Sequence, residues 1–168
     1  IKDAAVNAIN ENYHKYSPVD GFLDLKKAIC KKFKRDNNLD YNTDQIVVST
    51  GAKQSIANVC MSLINKSDEV VIPTPYWVSY SAMVSLADGI PVFVHPDENA
   101  NYKVTAAQLE SAITDKTKMV MLNSPNNPSG SVFTKDEYLE FSKVLMKYPN
   151  IIVVSDEIYE HINYGVES

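Results

Sequence analysis

The chain has 168 residues, 45% hydrophobic and 22% charged, with a formal net charge of −5. That length carries one domain with a hydrophobic core, the composition is that of a globular protein, and an acidic balance without a basic block speaks against a nucleic-acid surface. No apolar run approaches the ~20 residues of a membrane span, no signal-peptide pattern opens the chain, and Cys30 and Cys60 lie in apolar helical patterns that predict buried free thiols in a reducing, cytoplasmic setting.

A helix is expected over residues 4–13, followed by the turn Tyr16-Ser17-Pro18-Val19-Asp20-Gly21 with both Pro and Gly. Leu23, Leu25-Lys26, Ile29 and Phe33 recur at roughly helical spacing and predict a second helix ending near Asn37-Asn38. Its basic cluster, Lys31-Lys32 with Lys34-Arg35, reads as a solvated face. A short strand is expected over 45–50, broken by Gly51, then a helix over 52–64 with Ile56, Val59, Cys60 and Leu63 inward. Residues 69–72 read as strand, 76–86 as helix and 90–94 as strand. Thr105 N-caps a helix through 113, and 118–122 is strand. Thr134-Lys135-Asp136-Glu137 has capping-box spacing and opens a helix to 146, and 151–155 is the last clear strand. Strands alternating with crossover-length helices predict an α/β fold with a mostly parallel sheet and helices on both faces.

Polar groups gather where these strands end, the edge at which open α/β sheets bind ligands. Thr50-Gly51-Ala52-Lys53-Gln54 joins a strand to a helix, and free N–H groups there suit a phosphate; taken alone it is equally a turn that needs glycine. Trp77, the single tryptophan, follows Pro73-Thr74-Pro75 and can stack on a flat ring or anchor the core. In Asn126-Asn127-Pro128 the proline holds the amides in place; turn geometry accounts for Asn126 well and for Asn127 less well. Asp156 and Tyr159 are an acid and a phenol three residues apart. Such an acid pairs with a protonated ring nitrogen and such a phenol bonds a ring oxygen, which suits a pyridine cofactor, although Asp156 alone also fits an acidic N-cap. Glu157 and Glu160 read as solvated or structural. His14, His95 and His161 show no metal-ligand spacing. Each motif follows a separate strand, so the bland readings would all have to hold at once.

In order and spacing, the segments Tyr16–Gly21, Ser49–Gln54, Pro75–Tyr80, Asn123–Gly130 and Ser155–Tyr159 resemble the class I/II (fold-type I) aminotransferases, most closely the bacterial-type aspartate aminotransferases, over essentially the whole chain. The resemblance implies pyridoxal 5'-phosphate (PLP) as cofactor. It further implies Gly51, Ala52 and Lys53 at the phosphate, Trp77 stacked on the pyridine ring, Asn127 and Tyr159 on the ring oxygen, and Asp156 at the ring nitrogen. Trp77, Asn127 and Lys53 would also face substrate, Asn127 near its α-carboxylate and Lys53 near a distal carboxylate. Tyr16 would reach the phosphate in a partner subunit's site, which implies a homodimer with shared active sites. The implied reaction moves an amino group from an L-amino acid, aspartate first, to a 2-oxo acid such as 2-oxoglutarate, with aromatic amino acids or prephenate as further options.

The family's Schiff-base lysine lies downstream of the acid-x-x-tyrosine motif, and no lysine follows Tyr159. Arg35, the only arginine, matches neither the phosphate nor the carboxylate arginine of the family. The chain therefore reads as 1–168 of the central PLP-binding large domain, without the N-terminal segment, lysine region and small C-terminal domain, and inactive by itself. Two other readings share the resemblance: a same-fold PLP lyase or synthase, and a non-catalytic PLP-binding regulatory domain. A plain nucleotide-binding domain is disfavoured because neither glycine-rich phosphate motif occurs.

Overall fold

The structure is a computed structural model and describes residues 1–162 and 164. The chain divides into two compact units, Ile1–Gly51 and Ala52–Ser168.

In the first unit, α1 (Lys2–Asn10) buries no residue, and α2 (Leu23–Asn37) ends at Asn38, which takes the left-handed conformation at φ 54°. The predicted helical pattern of α2 holds at Lys26 and is corrected at its two leucines. Leu23 and Leu25 are about half exposed, and Lys26 is the buried residue of the helix. Positions two apart cannot share a helix face, whereas 26, 29, 30 and 33 can. Lys26 occupies that stripe because its stem packs inward while its ammonium pairs with Asp20. Cys30 on the same stripe is only half-buried, contrary to expectation.

The expected strand over 45–50 is also corrected. Thr43–Gln45 forms a 3₁₀ turn, and residues 46–49 take no ladder partner among the described residues. The Val48 N–H bonds instead to the Asp20 carbonyl at 3.1 Å. Gly21 sits against that contact with φ +100°, and a Cβ there would lie 2.6 Å from Val48 Cβ, so both conformation and space require glycine.

The second unit is a parallel four-stranded sheet in the order β2-β1-β3-β4, built from β1 (Glu69–Pro73), β2 (Ile90–Val94), β3 (Thr117–Asn123) and β4 (Ile152–Asp156). Alternating side chains leave opposite faces of each strand. Val70, Ile72, Met119 and Met121 meet Ile56 and Cys60 of α3 (Ala52–Leu63) and Tyr80, Met83 and Val84 of α4 (Ser79–Leu86). Val71, Val120 and Leu122 meet Leu109 of α5 (Ala106–Ser111) and Phe141 of α6 (Lys135–Leu145) on the other face. Because the middles of β1 and β3 are covered on both sides, positions 70–72 and 119–122 are all apolar. This is the predicted architecture.

Boundaries moved where local geometry intervened. Helix α4 starts at Ser79 rather than 76, because residues 76–78 form the loop that follows Pro75. Helix α5 stops at Ser111, and Leu63 on α3 is exposed rather than inward. Thr134 and Glu137 form the predicted capping box, and Thr105 with Gln108 forms another. No helix among the described residues is long and apolar enough to cross a membrane.

Two predictions follow from α6. Thr134→Ala removes the side-chain acceptor for the Glu137 N–H and is expected to lower unfolding free energy by about 0.5–2 kcal/mol, measured by urea denaturation. Partial burial raises the Glu137 carboxyl, but the Lys103 ammonium and the Thr134 N–H outweigh it, so it titrates below its ordinary value of 4.5. Its contribution is therefore complete above pH 4.5 and disappears as pH falls through the lower folded value. Glu137→Gln should flatten this part of the acid-induced fall in the urea midpoint, and an unchanged slope would remove the assignment.

Candidate functional site

The sheet order reverses between β1 and β3: the chain runs outward from β1 to β2, then returns to the other side of β1. Loops leaving the carboxyl ends there diverge, which leaves a place for ligands. Directly between β1 and β3 the space is nearly filled, with about 10 Å³ left among Tyr76, Asn123, Asn126 and their neighbours. The Asn126 amide donates to the Pro75 carbonyl at 3.1 Å, and its carbonyl oxygen accepts from the Ser129 N–H and hydroxyl. Asn126 is thus a loop fastener, as turn geometry suggested.

Asn127 is held differently. Its backbone N–H donates to the Asn123 side chain at 2.8 Å, which leaves its amide group to approach the Tyr159 hydroxyl at 3.4 Å. Both residues are half-buried beside a depression of about 410 Å³ lined by Pro128, Gly130 and Val132. Two donors this close can converge on one oxygen acceptor.

Asp156 ends β4 in register with Asn123 of β3. The buried Asn123 amide donates to the Asp156 carbonyl at 2.8 Å, so one carboxamide ties the strand end bearing Asp156 to the loop bearing Asn127. The Asp156 side chain accepts the Ile158 N–H on Oδ1 at 3.2 Å and the Tyr80 hydroxyl on Oδ2 at 2.6 Å. Tyr80 is 2% exposed. Burial, and then the bond to Asp156, push its phenol far above the ordinary range, so it remains a donor. Glu157 is exposed and accepts from Ser155, consistent with its reading as a surface acid.

Trp77 is half-buried against the α3–α4 side of the core and stands edge-on to Tyr80 at 5.6 Å. The Lys53 ammonium, from the first turn of α3, lies 5.1 Å from the Trp77 ring centroid. Ala52 opens α3, and Gly51 immediately before it has φ +90°, a conformation that disfavours any side chain. Tyr16 belongs to the first unit and is fully exposed.

The second unit therefore brings together Asp156, Asn127 and Tyr159 at adjoining strand ends, and pairs Lys53 with Trp77. Tyr80 and Asn123 are the site residues that sequence reasoning missed. Their signals are slight: Tyr80 falls one helical turn after Trp77, and Asn123 is the polar residue that ends an apolar strand.

Comparison with known proteins gives this arrangement a context. The model of the family "Aminotransferase class I and II" matches residues 1–168. A probable aspartate/prephenate aminotransferase of Rickettsia felis is 51% identical over 164 residues, covering 98% of this chain and 40% of that protein. The aspartate aminotransferase of Bacillus subtilis is 46% identical, with 98% of this chain and 42% of that protein covered. The crystal structure of the aspartate aminotransferase from Rhizobium meliloti superposes with a TM-score of 0.96 at 45% identity, covering 99% of this chain and 42% of that one. The chain thus spans about two fifths of the length of the relatives it matches, and it belongs to the class I and II aminotransferase family.

Proposed function

We propose that the full-length protein carrying this sequence is a PLP-dependent aminotransferase. It moves the amino group of an L-amino acid, aspartate first, to a 2-oxo acid such as 2-oxoglutarate. The observation that carries this reading is the placement of one acid and two oxygen-directed donors at neighbouring strand ends, Asp156 in register with Asn123 and, just beyond these two residues, Tyr159 within reach of the Asn127 amide, in a chain of this family. Support for the substrate class comes from relatives described as aspartate or aspartate/prephenate aminotransferases.

The donor set fits the cofactor. Asp156 presents a carboxylate acceptor suited to a protonated ring nitrogen, and Asn127 and Tyr159 present donors suited to the ring oxygen. Trp77 offers an aromatic face, and Ala52 and Lys53 in the first turn of α3, just after Gly51, offer backbone N–H groups for the phosphate. When bound, PLP supplies an electron sink for the substrate's α-carbon. Asp156 holds the ring nitrogen's proton. Asn127 and Tyr159 hold the ring oxygen and, with Trp77, orient the ring. The Lys53 ammonium, over the Trp77 ring, is available to a distal carboxylate of an acidic substrate. The lysine that anchors the cofactor and moves the α-proton is assigned to the part of the protein beyond Tyr159, so residues 1–168 by themselves are inactive.

In this reading 1–168 is the central part of the PLP-binding large domain. The share of the relatives covered supports it, as does the side of β4 that takes no ladder partner among the described residues, where a groove of about 710 Å³ runs past Phe141, Leu145 and Val153. In the same reading the active form is a homodimer in which Tyr16 reaches the phosphate in a second copy's site, and the full exposure of Tyr16 in its own chain supports it. Both cysteines are free, in keeping with a reducing, cytoplasmic setting.

The test is a PLP titration of the full-length protein followed by visible absorption, with an amino-acid/2-oxo-acid exchange assay. Asp156→Ala should reduce kcat by roughly 10²- to 10³-fold, the scale of losing one preorganised electrostatic partner. Visible absorption without amino transfer would favour the lyase or regulatory alternatives. Lys53→Ala should raise the KM for aspartate about tenfold and leave the KM for an aromatic amino acid within twofold, in line with loss of one charge-assisted bond. Equal changes for both substrates would remove Lys53 from acidic-substrate recognition.

A further inference from the structure

The loop that carries Tyr16 is fastened within the first unit by an ion pair. Tyr13 and Phe22, at the two ends of the loop, meet edge-on with ring centroids 6.1 Å apart. Between them the Gly21 N–H donates to the Pro18 carbonyl at 3.1 Å and closes a turn. Asp20, inside that turn, is held twice. Its carbonyl accepts the Val48 N–H at 3.1 Å, and its carboxylate Oδ2 accepts from the Lys26 ammonium. The Lys26 side chain is 8% exposed, so its charge needs a partner, whereas half of the Asp20 side chain still meets water. The carboxylate is therefore held where α2 places the cation. A residue tied by both its carbonyl and its side chain cannot turn about one attachment without breaking the other. Tyr16 lies four positions before Asp20, and Pro18, with its fixed φ, stands between them.

We propose that Lys26 is a positioning residue for the cofactor phosphate: by pairing with Asp20 it holds the loop in the attitude from which the Tyr16 phenol meets the phosphate in a second copy's site. This rests on the reading of Tyr16 and of the homodimer given above. Tyr16 is fully exposed, so packing of its own side chain does not set its direction, and the backbone that carries it must. A donor on a loop fixed by folding has already lost the freedom that a loose donor would lose on meeting its ligand. Stability alone does not account for the lysine. An apolar side chain at position 26 would fill the same stripe of α2 as Ile29 and Phe33 without desolvating a charge, a replacement that is often neutral or stabilising. What it would lack is the hold on Asp20. The Val48 bond survives such a change because it is made by backbone groups, so the turn keeps one attachment and loses the one that fixes its attitude.

The test is equilibrium titration of the full-length protein with PLP and, separately, with pyridoxal, which has the same ring and no phosphate. Tyr16→Phe is expected to weaken PLP binding by roughly 10- to 100-fold, the scale of a hydrogen bond to a charged group. Lys26→Met keeps an apolar stem in the α2 stripe and should reproduce most of that loss, roughly tenfold or more. Its affinity for pyridoxal should stay within about twofold, because Tyr16 acts on the phosphate. In a Tyr16→Phe background, Lys26→Met should change PLP affinity by less than about twofold, since the group through which Lys26 acts is gone. Lys26→Arg, which retains the cation, should bring PLP affinity back to within about threefold of wild type. Asp20→Ala with Lys26→Met removes both charges together, should show the same pattern, and replaces Lys26→Met if that variant does not fold. Equal losses for PLP and pyridoxal, or equal losses with and without the Tyr16 hydroxyl, would mean that Lys26 merely supports the fold and would overturn the proposal. So would wild-type PLP affinity in Lys26→Met. A Tyr16→Phe protein with wild-type PLP affinity overturns the reading of Tyr16, and a wild-type protein that takes up no PLP overturns the reading of the site itself, so the failures are distinguishable.

Discussion

The end of the β3–β4 ladder is the constraint on which the site depends. In a parallel pair the backbone bonds stop where the strands diverge, and the next polar groups need other partners. Asn123 supplies them with its side chain: its amide continues the ladder to the Asp156 carbonyl, and its oxygen receives the Asn127 N–H. One buried carboxamide thus sets the spacing between the acid and the amide. Every buried side-chain nitrogen or oxygen among the described residues has a partner, so the polar ends of these apolar strands are accommodated without uncompensated burial.

The two faces of the sheet make that ladder end rigid in different ways. The α3–α4 face is built around methionine and small apolar side chains, and it admits Tyr80, whose hydroxyl crosses from the core to the site. The α5–α6 face is closed by an aromatic cluster in which Phe133 meets both Tyr138 and Phe141 edge to face. The Phe133 N–H donates to the Ser124 hydroxyl, which anchors the far end of the asparagine–proline loop. That loop is therefore fastened at Asn123, Ser124 and Asn126, and among its three asparagines only the Asn127 side chain turns to Tyr159.

The polar groups of the candidate site gather at strand ends, whereas the wider apolar groove beside β4 is lined mostly by side chains that lack acid–base function. A fold of this kind carries many reactions, and the reaction follows from the groups at the site. Here those groups are one carboxylate oriented by two protein donors and a pair of oxygen-seeking donors. With them stands a cation over an aromatic ring, an arrangement that draws on three strand ends and the start of one helix.

Much of this was legible in the sequence. The alternation of β-branched and apolar runs with capped helices determined the parallel α/β architecture, because side-chain period and capping chemistry are local. The site motifs were legible for a related reason: each sits where an apolar run stops, and Asn127, Asp156 and Tyr159 need no distant partner to be noticed. The expected strand over 45–50 failed because a strand exists only by pairing, and Val48 bonds to Asp20 instead. The stripe of α2 differs from the apolar pattern because a lysine fills a core position through an ion pair with Asp20, six positions away, and no apolar pattern marks such a pair. Only tertiary structure decided that Tyr80 would bond Asp156 and that Asn123 would join two loops. Those bonds link residues 76 and 33 positions apart, and no local periodicity encodes which buried polar group will face which strand end.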